Sequence, residues 1–207
     1  MQAVVFLLVE MSLHPELISP LRQEIEANWT DEGPLLNNME LLDSIVQESA
    51  RLNSSETISL RRKATNDYTF SDGVKVKAGT AVYAPLRAMG RDPDHFNAPD
   101  TFDGYRFLKA AQYKKSSRSV EGSMQGLKYT DINLKYPYWG YGLDACPGRF
   151  YAAFIIKTSL VHIIRNFDIK LEGASKPRVF SWRTTIIPSP TTQMLVRRRQ
   201  MGSTTAA

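Results

Sequence analysis

The chain has 207 residues, 43% hydrophobic and 23% charged, which are ordinary proportions for one folded domain with a core. Its single cysteine excludes an internal disulfide, a Cys-x-x-Cys pair and an iron–sulfur cluster held within one chain. The formal net charge of +5 would suit an acidic partner, and a mildly basic solvated surface explains it equally well, above all in the run 197–199.

The first ten residues form an apolar run. The stretch Ala3–Val9 is too short to span a bilayer and lacks the basic leader of a secretory signal. We therefore expect an intracellular protein and no membrane targeting from this segment.

Residues 38–52 predict a helix, because Met39, Leu42 and Ile45 recur near helical spacing. Glu48 and Arg51 lie three positions apart on it and face the same side. Taken alone, such a pair is typical of an exposed ion pair worth about 0.3 kcal/mol.

Residues 59–84 predict a β-meander with turns at 71–73 and 77–79. The predicted strands are 57–60, 68–70, 74–76 and 80–83. Arg61 and Arg62 follow the first of them. Neighbours on an extended segment point to opposite faces, so one arginine could reach a buried anion while the other meets water. The alternative is that both charges are solvated.

The second half of the chain predicts a polar loop over 113–135 and a helix over 150–167. Strands over 168–171 and 191–196, with a turn at 188–190, would close the domain. The aromatic segment 102–107, which contains Arg106, precedes the loop.

The run 139–149 surrounds the lone Cys146 with glycines and an aromatic residue. Pro147 suits the first turn of the next helix, whose free amides and dipole would stabilise a thiolate. Gly142 and Gly148 permit tight turns and the close approach of a planar ring. A lone cysteine is usually a small buried hydrophobe. This pattern instead favours a thiolate held toward a flat cofactor, and haem iron fits it better than zinc, because the three histidines lack ligand spacing.

Trp139, Gly140, Gly142, Cys146 and Gly148 resemble the thiolate signature of the cytochrome P-450 family, with Trp where Phe is usual. The resemblance implies that Cys146 is the axial ligand of haem b and that the other four residues lie at the cofactor. The run around Cys146 looks most like fungal members that oxidise terpenoids and other secondary metabolites.

The order of the motifs also resembles the family. There, a Glu-x-x-Arg helix, a β-meander and an aromatic segment with an arginine precede the thiolate loop, which implies a buried network of Glu48, Arg51 and Arg106. Arg62 matches the arginine that holds a haem propionate. The chain departs from its relatives just before the thiolate, where Leu143 and Asp144 replace basic residues. An acid there repels a propionate and weakens haem retention, or turns outward and caps the loop.

The resemblance implies a mainly α fold with a minor β-meander. Residues 1–207 would form the C-terminal, haem-binding portion of a single domain truncated at its N-terminus, without the acid and alcohol that relay protons or the membrane anchor. The implied activity is monooxygenation of an apolar small molecule, with electrons from NADPH through a cytochrome P-450 reductase, and family members usually reside at the endoplasmic reticulum membrane. A haem-thiolate isomerase or dehydratase, and a non-catalytic remnant or incomplete gene model, are the alternatives.

Overall fold

The computed structural model describes residues 2–108, 128–173 and 179–200. Most of the predicted polar loop 113–135 lies outside these residues. The helices are α1 Gln2–Leu13, α2 Ile18–Ala27, α3 Glu40–Leu52, α4 Leu86–Met89 and α5 Arg149–Asn166, with short 3-10 turns at Pro15–Leu17, Leu36–Asn38 and Gly142–Asp144. Of these helices, α3 and α5 correspond to the helices predicted over 38–52 and 150–167, except that α3 begins at Glu40, after a 3-10 turn.

The strands form antiparallel pairs, β1 with β2, β3 with β6, β4 with β5, β7 with β10 and β8 with β9. Their bounds are β1 Trp29–Thr30, β2 Gly33–Pro34, β3 Ser59–Lys63, β4 Tyr68–Thr69, β5 Lys75–Val76, β6 Ala81–Ala84, β7 Phe167–Glu172, β8 Val179–Trp182, β9 Thr185–Pro188 and β10 Gln193–Arg198. The combination of helices with small antiparallel sheets agrees with the predicted mainly α fold with minor β elements. The strands of residues 59–84 lie close to their predicted positions, but they do not form the predicted meander, because β3 pairs with β6 and β4 pairs with β5 instead of each strand pairing with the next along the chain.

Two hairpins were not predicted, namely β1–β2 and β8–β9. The turn of β8–β9 places Arg183 at φ 53°, a left-handed conformation for which Gly or Asn is the usual signal. No such residue marks this turn in the sequence. The first predicted strand also begins later, at Ser59, and extends to Lys63.

The main core lies between α1, α2, α3 and α5. Its members include side chains that are almost fully buried: Leu7, Met11, Leu21, Ile25, Leu42, Ile45, Leu160 and Ile164. From Ser44 onward α3 is covered on every side, so its polar residues there are buried as well, including Glu48 and Arg51. Burial of these charges requires partners within the protein.

The N-terminus of α3 is capped from a different helix. Met39, at the N-cap position, makes no side-chain cap hydrogen bond. Instead, Glu24 of α2 accepts hydrogen bonds from the backbone amides of Leu41 at 2.7 Å and Leu42 at 2.9 Å. These amides belong to the first turn, where no intrahelical partner exists, so Glu24 fixes α3 against α2.

Within the residues that the structure describes, no single helix is long and apolar enough to cross a membrane. The helices Gln2–Leu13 and Pro15–Ala27 reach the required length and composition only together, across a bend of 97°.

Asp168 joins the closing strands to α2. Its carboxylate accepts hydrogen bonds from Arg197 of β10 and Arg22 of α2, each at 2.9 Å, and these bonds lower the pKa of Asp168. A depressed pKa in the folded state means that the carboxylate stabilises the fold above its unfolded pKa of about 4 and loses this contribution as the pH falls through the folded pKa.

We therefore expect Asp168→Asn to lower the free energy of unfolding at pH 7 and to have a much smaller effect at an acid pH below the depressed folded-state pKa, where the wild-type carboxyl also becomes neutral. Urea unfolding at both pH values measures the difference. Glu32→Gln, an equal change of charge at an exposed turn, is the control. A loss of the same size at both pH values would show that the charge of Asp168 does not contribute.

Candidate functional site

The loop before Cys146 is closed by hydrogen bonds and by two glycines in left-handed conformations. Gly140 has φ 81° and Gly142 has φ 66°. A Cβ atom on Gly140 would also lie only 3.0 Å from the carbonyl oxygen of Asp144. The Cys146 amide donates to the Trp139 carbonyl at 2.7 Å, and the Trp139 indole donates to the Tyr129 carbonyl at 2.6 Å. The loop therefore holds Cys146 in a defined position.

The helix after the thiol begins at Arg149, one residue before the predicted range 150–167, but it does not include Pro147. Gly148 is the N-cap of α5, so Pro147 precedes the helix instead of lying in its first turn. The N-terminus still lies next to Cys146, because a Cβ on Gly148 would be 4.0 Å from its Sγ. Arg149 donates to the carbonyls of Cys146 at 2.9 Å and Thr130 at 3.0 Å. A cation in the first turn of a helix is unfavourable to the helix dipole. The presence of Arg149 there therefore indicated that its side chain binds other groups.

A cavity of about 460 Å³ lies between the Cys146 loop and strand β3. This volume falls within the usual range for small-molecule sites, roughly 300–1,000 Å³. The lining residues come from both walls and from α4: Ser55, Glu56, Ile58, Ser59, Leu60, Arg61, Arg62, Leu86, Tyr138, Trp139, Gly140, Asp144 and Cys146. The structure thus places Arg62, Trp139, Gly140 and Cys146 around one cavity. Gly142 and Gly148 belong to the loop around Cys146 but do not line the cavity.

The two arginines of β3 both line this cavity. The pairing of β3 with β6 shifts register between Ser59 and Arg62, and Leu60 has φ 49°. This irregularity removes the strict alternation of side chains. Arg61 pairs with Glu56 at 2.9 Å and Arg62 with Asp144 at 2.8 Å, both near the surface. Both side chains therefore line the same space instead of pointing to opposite faces, and the assignment of Arg62 to a haem propionate stays a prediction.

Glu48, Arg51 and Arg106 form one network in the interior. Arg51 makes two hydrogen bonds of 2.8 Å to the Glu48 carboxylate, and both side chains are 0% exposed. Arg106 Nε donates to both carboxylate oxygens at 3.0 Å. The amide of Asp103 adds a further bond to Glu48 at 3.0 Å. The carboxylate of Glu48 is therefore well supplied with donors, as a buried charge requires.

The network is connected to the Cys146 loop through Gly90 and Tyr136. Arg51 donates to the carbonyl of Gly90 at 2.6 Å, and the Tyr136 ring packs against Gly90. The Tyr136 hydroxyl donates to the carbonyl of Ala50 on α3 at 2.7 Å. The rings of Tyr136 and Tyr138 stack 6.0 Å apart, and Tyr138 lines the cavity. Burial raises the pKa of Tyr138, which therefore stays neutral near pH 7.

Gly90→Ala is expected to destabilise the protein by about 1–3 kcal/mol through overpacking. The added Cβ would lie 2.9 Å from Cε2 of Tyr136 and 3.0 Å from the carbonyl oxygen of Arg51. Urea unfolding measures the loss. In a Tyr136→Leu background the same substitution should cost less, since the nearer contact is gone. Equal costs in both backgrounds would contradict the proposed steric cause.

The residues around the cavity fit a haem. A single thiol lines the space, Trp139 and Gly140 form part of the wall, and two arginines can meet carboxylates. A soft thiolate in this setting suits iron, and the N-terminus of α5 lies beside the sulfur. In ranges 2–108, 128–173 and 179–200, no three His, Cys, Asp or Glu side chains converge on a possible metal position.

Comparisons with known proteins agree with this chemistry. A model of the cytochrome P-450 family matches residues 2–196. Among curated proteins, the chain is 36% identical over 97% of its length to cytochrome P-450 monooxygenase atmQ of Aspergillus flavus. It is 37% identical over 93% of its length to monooxygenase easM of Aspergillus fumigatus, and 35% identical over 96% to janQ of Penicillium janthinellum.

The chain spans only 36–39% of the length of these three relatives. The family match nevertheless covers nearly the whole chain and includes every residue of the cavity and of the Glu48 network. The chain therefore belongs to the cytochrome P-450 family.

Proposed function

We propose that this chain supplies the C-terminal, haem-thiolate part of a monooxygenase, with Cys146 as the iron ligand. The observation that carries the proposal is the position of this single thiol at the cavity, on a loop held by its own hydrogen bonds. The membership of the chain in the cytochrome P-450 family supports the same assignment.

Each residue of the site has a defined task in this proposal. Cys146 binds iron as a thiolate, and the α5 N-terminus stabilises its charge. Trp139 and Gly140 form the wall against which a flat ring packs, while Gly142 and Gly148 let the backbone bend around the thiol. When bound, haem supplies the activation of dioxygen, and one oxygen atom enters a C–H bond of the substrate.

The Glu48 network keeps this arrangement rigid in the proposal. Arg51 and Arg106 bind carbonyls of the segment 90–101 as well as Glu48, so this segment cannot move away from α3 without exposing unpaired charges. Through Gly90 and Tyr136 the same segment supports the aromatic residues before Cys146. The network thereby positions the ligand without touching it.

The proposed substrate is an apolar small molecule, such as a fungal terpenoid or another secondary metabolite. Apolar side chains of Ile58, Leu60 and Leu86 line the cavity that haem would fill, so the support for this substrate class comes from the relatives. The relatives are fungal monooxygenases by name. The proposed electron donor is an NADPH-dependent reductase with an acidic surface, which the net charge of +5 would attract.

The proposal is tested by loading the 207-residue chain with haemin, reducing it and adding carbon monoxide. We expect the red-shifted Soret band that is diagnostic of an axial thiolate. A Soret band at the position of a histidine-ligated or unligated haem, or a failure to bind haemin, would contradict the proposal.

A further inference from the structure

An ion pair bridges the two walls of the cavity. Arg62 lies on β3, and Asp144 lies in the 3-10 turn Gly142–Asp144 just before Cys146. The Arg62 guanidinium and the Asp144 carboxylate are 2.8 Å apart, with 50% and 71% of the side chains exposed. Both residues line the cavity, so the pair lies at its open edge.

The two walls are also held together beside this pair. The hydroxyl of Ser59, at the start of β3, donates to the carbonyl of Pro137 at 2.9 Å. Arg62 and Asp144 can therefore meet without a movement of either wall. A carboxylate tethered at this distance has a high effective concentration at the arginine, on the order of millimolar or more.

The cations of the cavity wall are already paired. Among the lining residues that the structure describes, the cationic side chains are Arg61 and Arg62, and the carboxylates are Glu56 and Asp144. Glu56 binds Arg61 at 2.9 Å and also accepts bonds from the hydroxyls of Thr184 and Thr185. The additional hydrogen bonds hold Glu56 at Arg61. Within the described part of the chain, the pair of Arg62 with Asp144 has no such support on the carboxylate side, so it is the pair that an incoming carboxylate can break.

We propose that Asp144 acts as a tethered competitor of haem, because its carboxylate takes the place at Arg62 that a haem propionate would occupy. This inference rests on the proposed function. Haem enters only when Asp144 leaves Arg62, and the displaced carboxylate then remains beside the propionate and repels it. Removal of the charge at Asp144 should therefore tighten haem binding, even though it breaks an ion pair of the protein.

The test is an absorbance titration of the full 207-residue chain with haemin and with haemin dimethyl ester, which lacks both carboxylates. Asp144→Asn is expected to lower the dissociation constant for haemin about fivefold, from the loss of an exposed ion pair and of a like charge. It should leave the constant for the ester unchanged. Glu32→Gln, which removes one charge from the β1–β2 turn, should change neither constant.

A second background separates competition for Arg62 from a general charge effect. With Arg62→Gln, haemin should bind more weakly, and Asp144→Asn should then give a smaller gain than in the wild-type background. Equal gains for haemin and its ester, equal gains in both backgrounds, or no gain from Asp144→Asn would overturn the inference while leaving thiolate ligation intact. If neither form of the protein binds haemin, both the proposed function and this inference are wrong.

Discussion

Glu48→Ala is expected to lower the free energy of unfolding by about 3–5 kcal/mol, enough to unfold a marginal domain, and to abolish haem incorporation with it. The substitution removes the shared carboxylate between Arg51 and Arg106. Arg51, which is 0% exposed, would keep its charge with only backbone carbonyls as partners. Urea unfolding measures the loss of stability, and haemin titration measures the loss of cofactor binding.

Glu26→Ala is the matched control, because Glu26 also pairs with an arginine, Arg165, but its side chain is 51% exposed. The exposed pair should cost no more than about 1 kcal/mol. In a double-mutant cycle, Arg106→Ala should be much less costly in the Glu48→Ala background than alone, since the bond it breaks is already absent. Normal stability and haem content of Glu48→Ala would show that the network contributes no more than an ordinary surface ion pair.

Cys146→Ala is expected to eliminate the red-shifted Soret band of the reduced, carbon-monoxide-bound protein. Cys146 is the single cysteine of the chain, so no other thiolate can replace it. The fold should persist, because Cys146 is only partly buried and its backbone amide, which donates to the Trp139 carbonyl, is retained. Circular dichroism and urea unfolding should therefore match the wild type within about 1 kcal/mol.

Comparison of Cys146→Ala with Glu48→Ala distinguishes the iron ligand from the network that positions it. Cys146→Ala should lose the thiolate spectrum with the fold intact, whereas Glu48→Ala should lose both together. Cys146→Ser serves as a further control, because it keeps the size of the side chain and replaces only the sulfur. A red-shifted band in either variant at position 146 would show that another group binds the iron.

Local patterns in the sequence were sufficient to predict the helices α3 and α5 and the positions of strands β3 to β6, but not the pairing of β3 with β6 and of β4 with β5. Helical spacing of Met39, Leu42 and Ile45 specified α3, and turn residues at 71–73 and 77–79 delimited the strands. The spacing of Glu48 and Arg51 placed them on one side of α3, but an exposed pair would show the same spacing. Their burial depends on the surrounding helices and on segment 90–107, which no local window of sequence contains.

The position of the thiol, the loop glycines and the order of the motifs can be read from the sequence alone, because these are properties of neighbouring residues. The contacts of Arg62 with Asp144, of Arg149 with the Thr130 carbonyl and of the β8–β9 hairpin with the segment before β3 are visible only in the folded chain. These contacts depend on the irregularity at Leu60, on a left-handed turn without glycine and on the meeting of distant segments. Periodicity encodes which face of an element is apolar, but not which distant charge or carbonyl that element will meet.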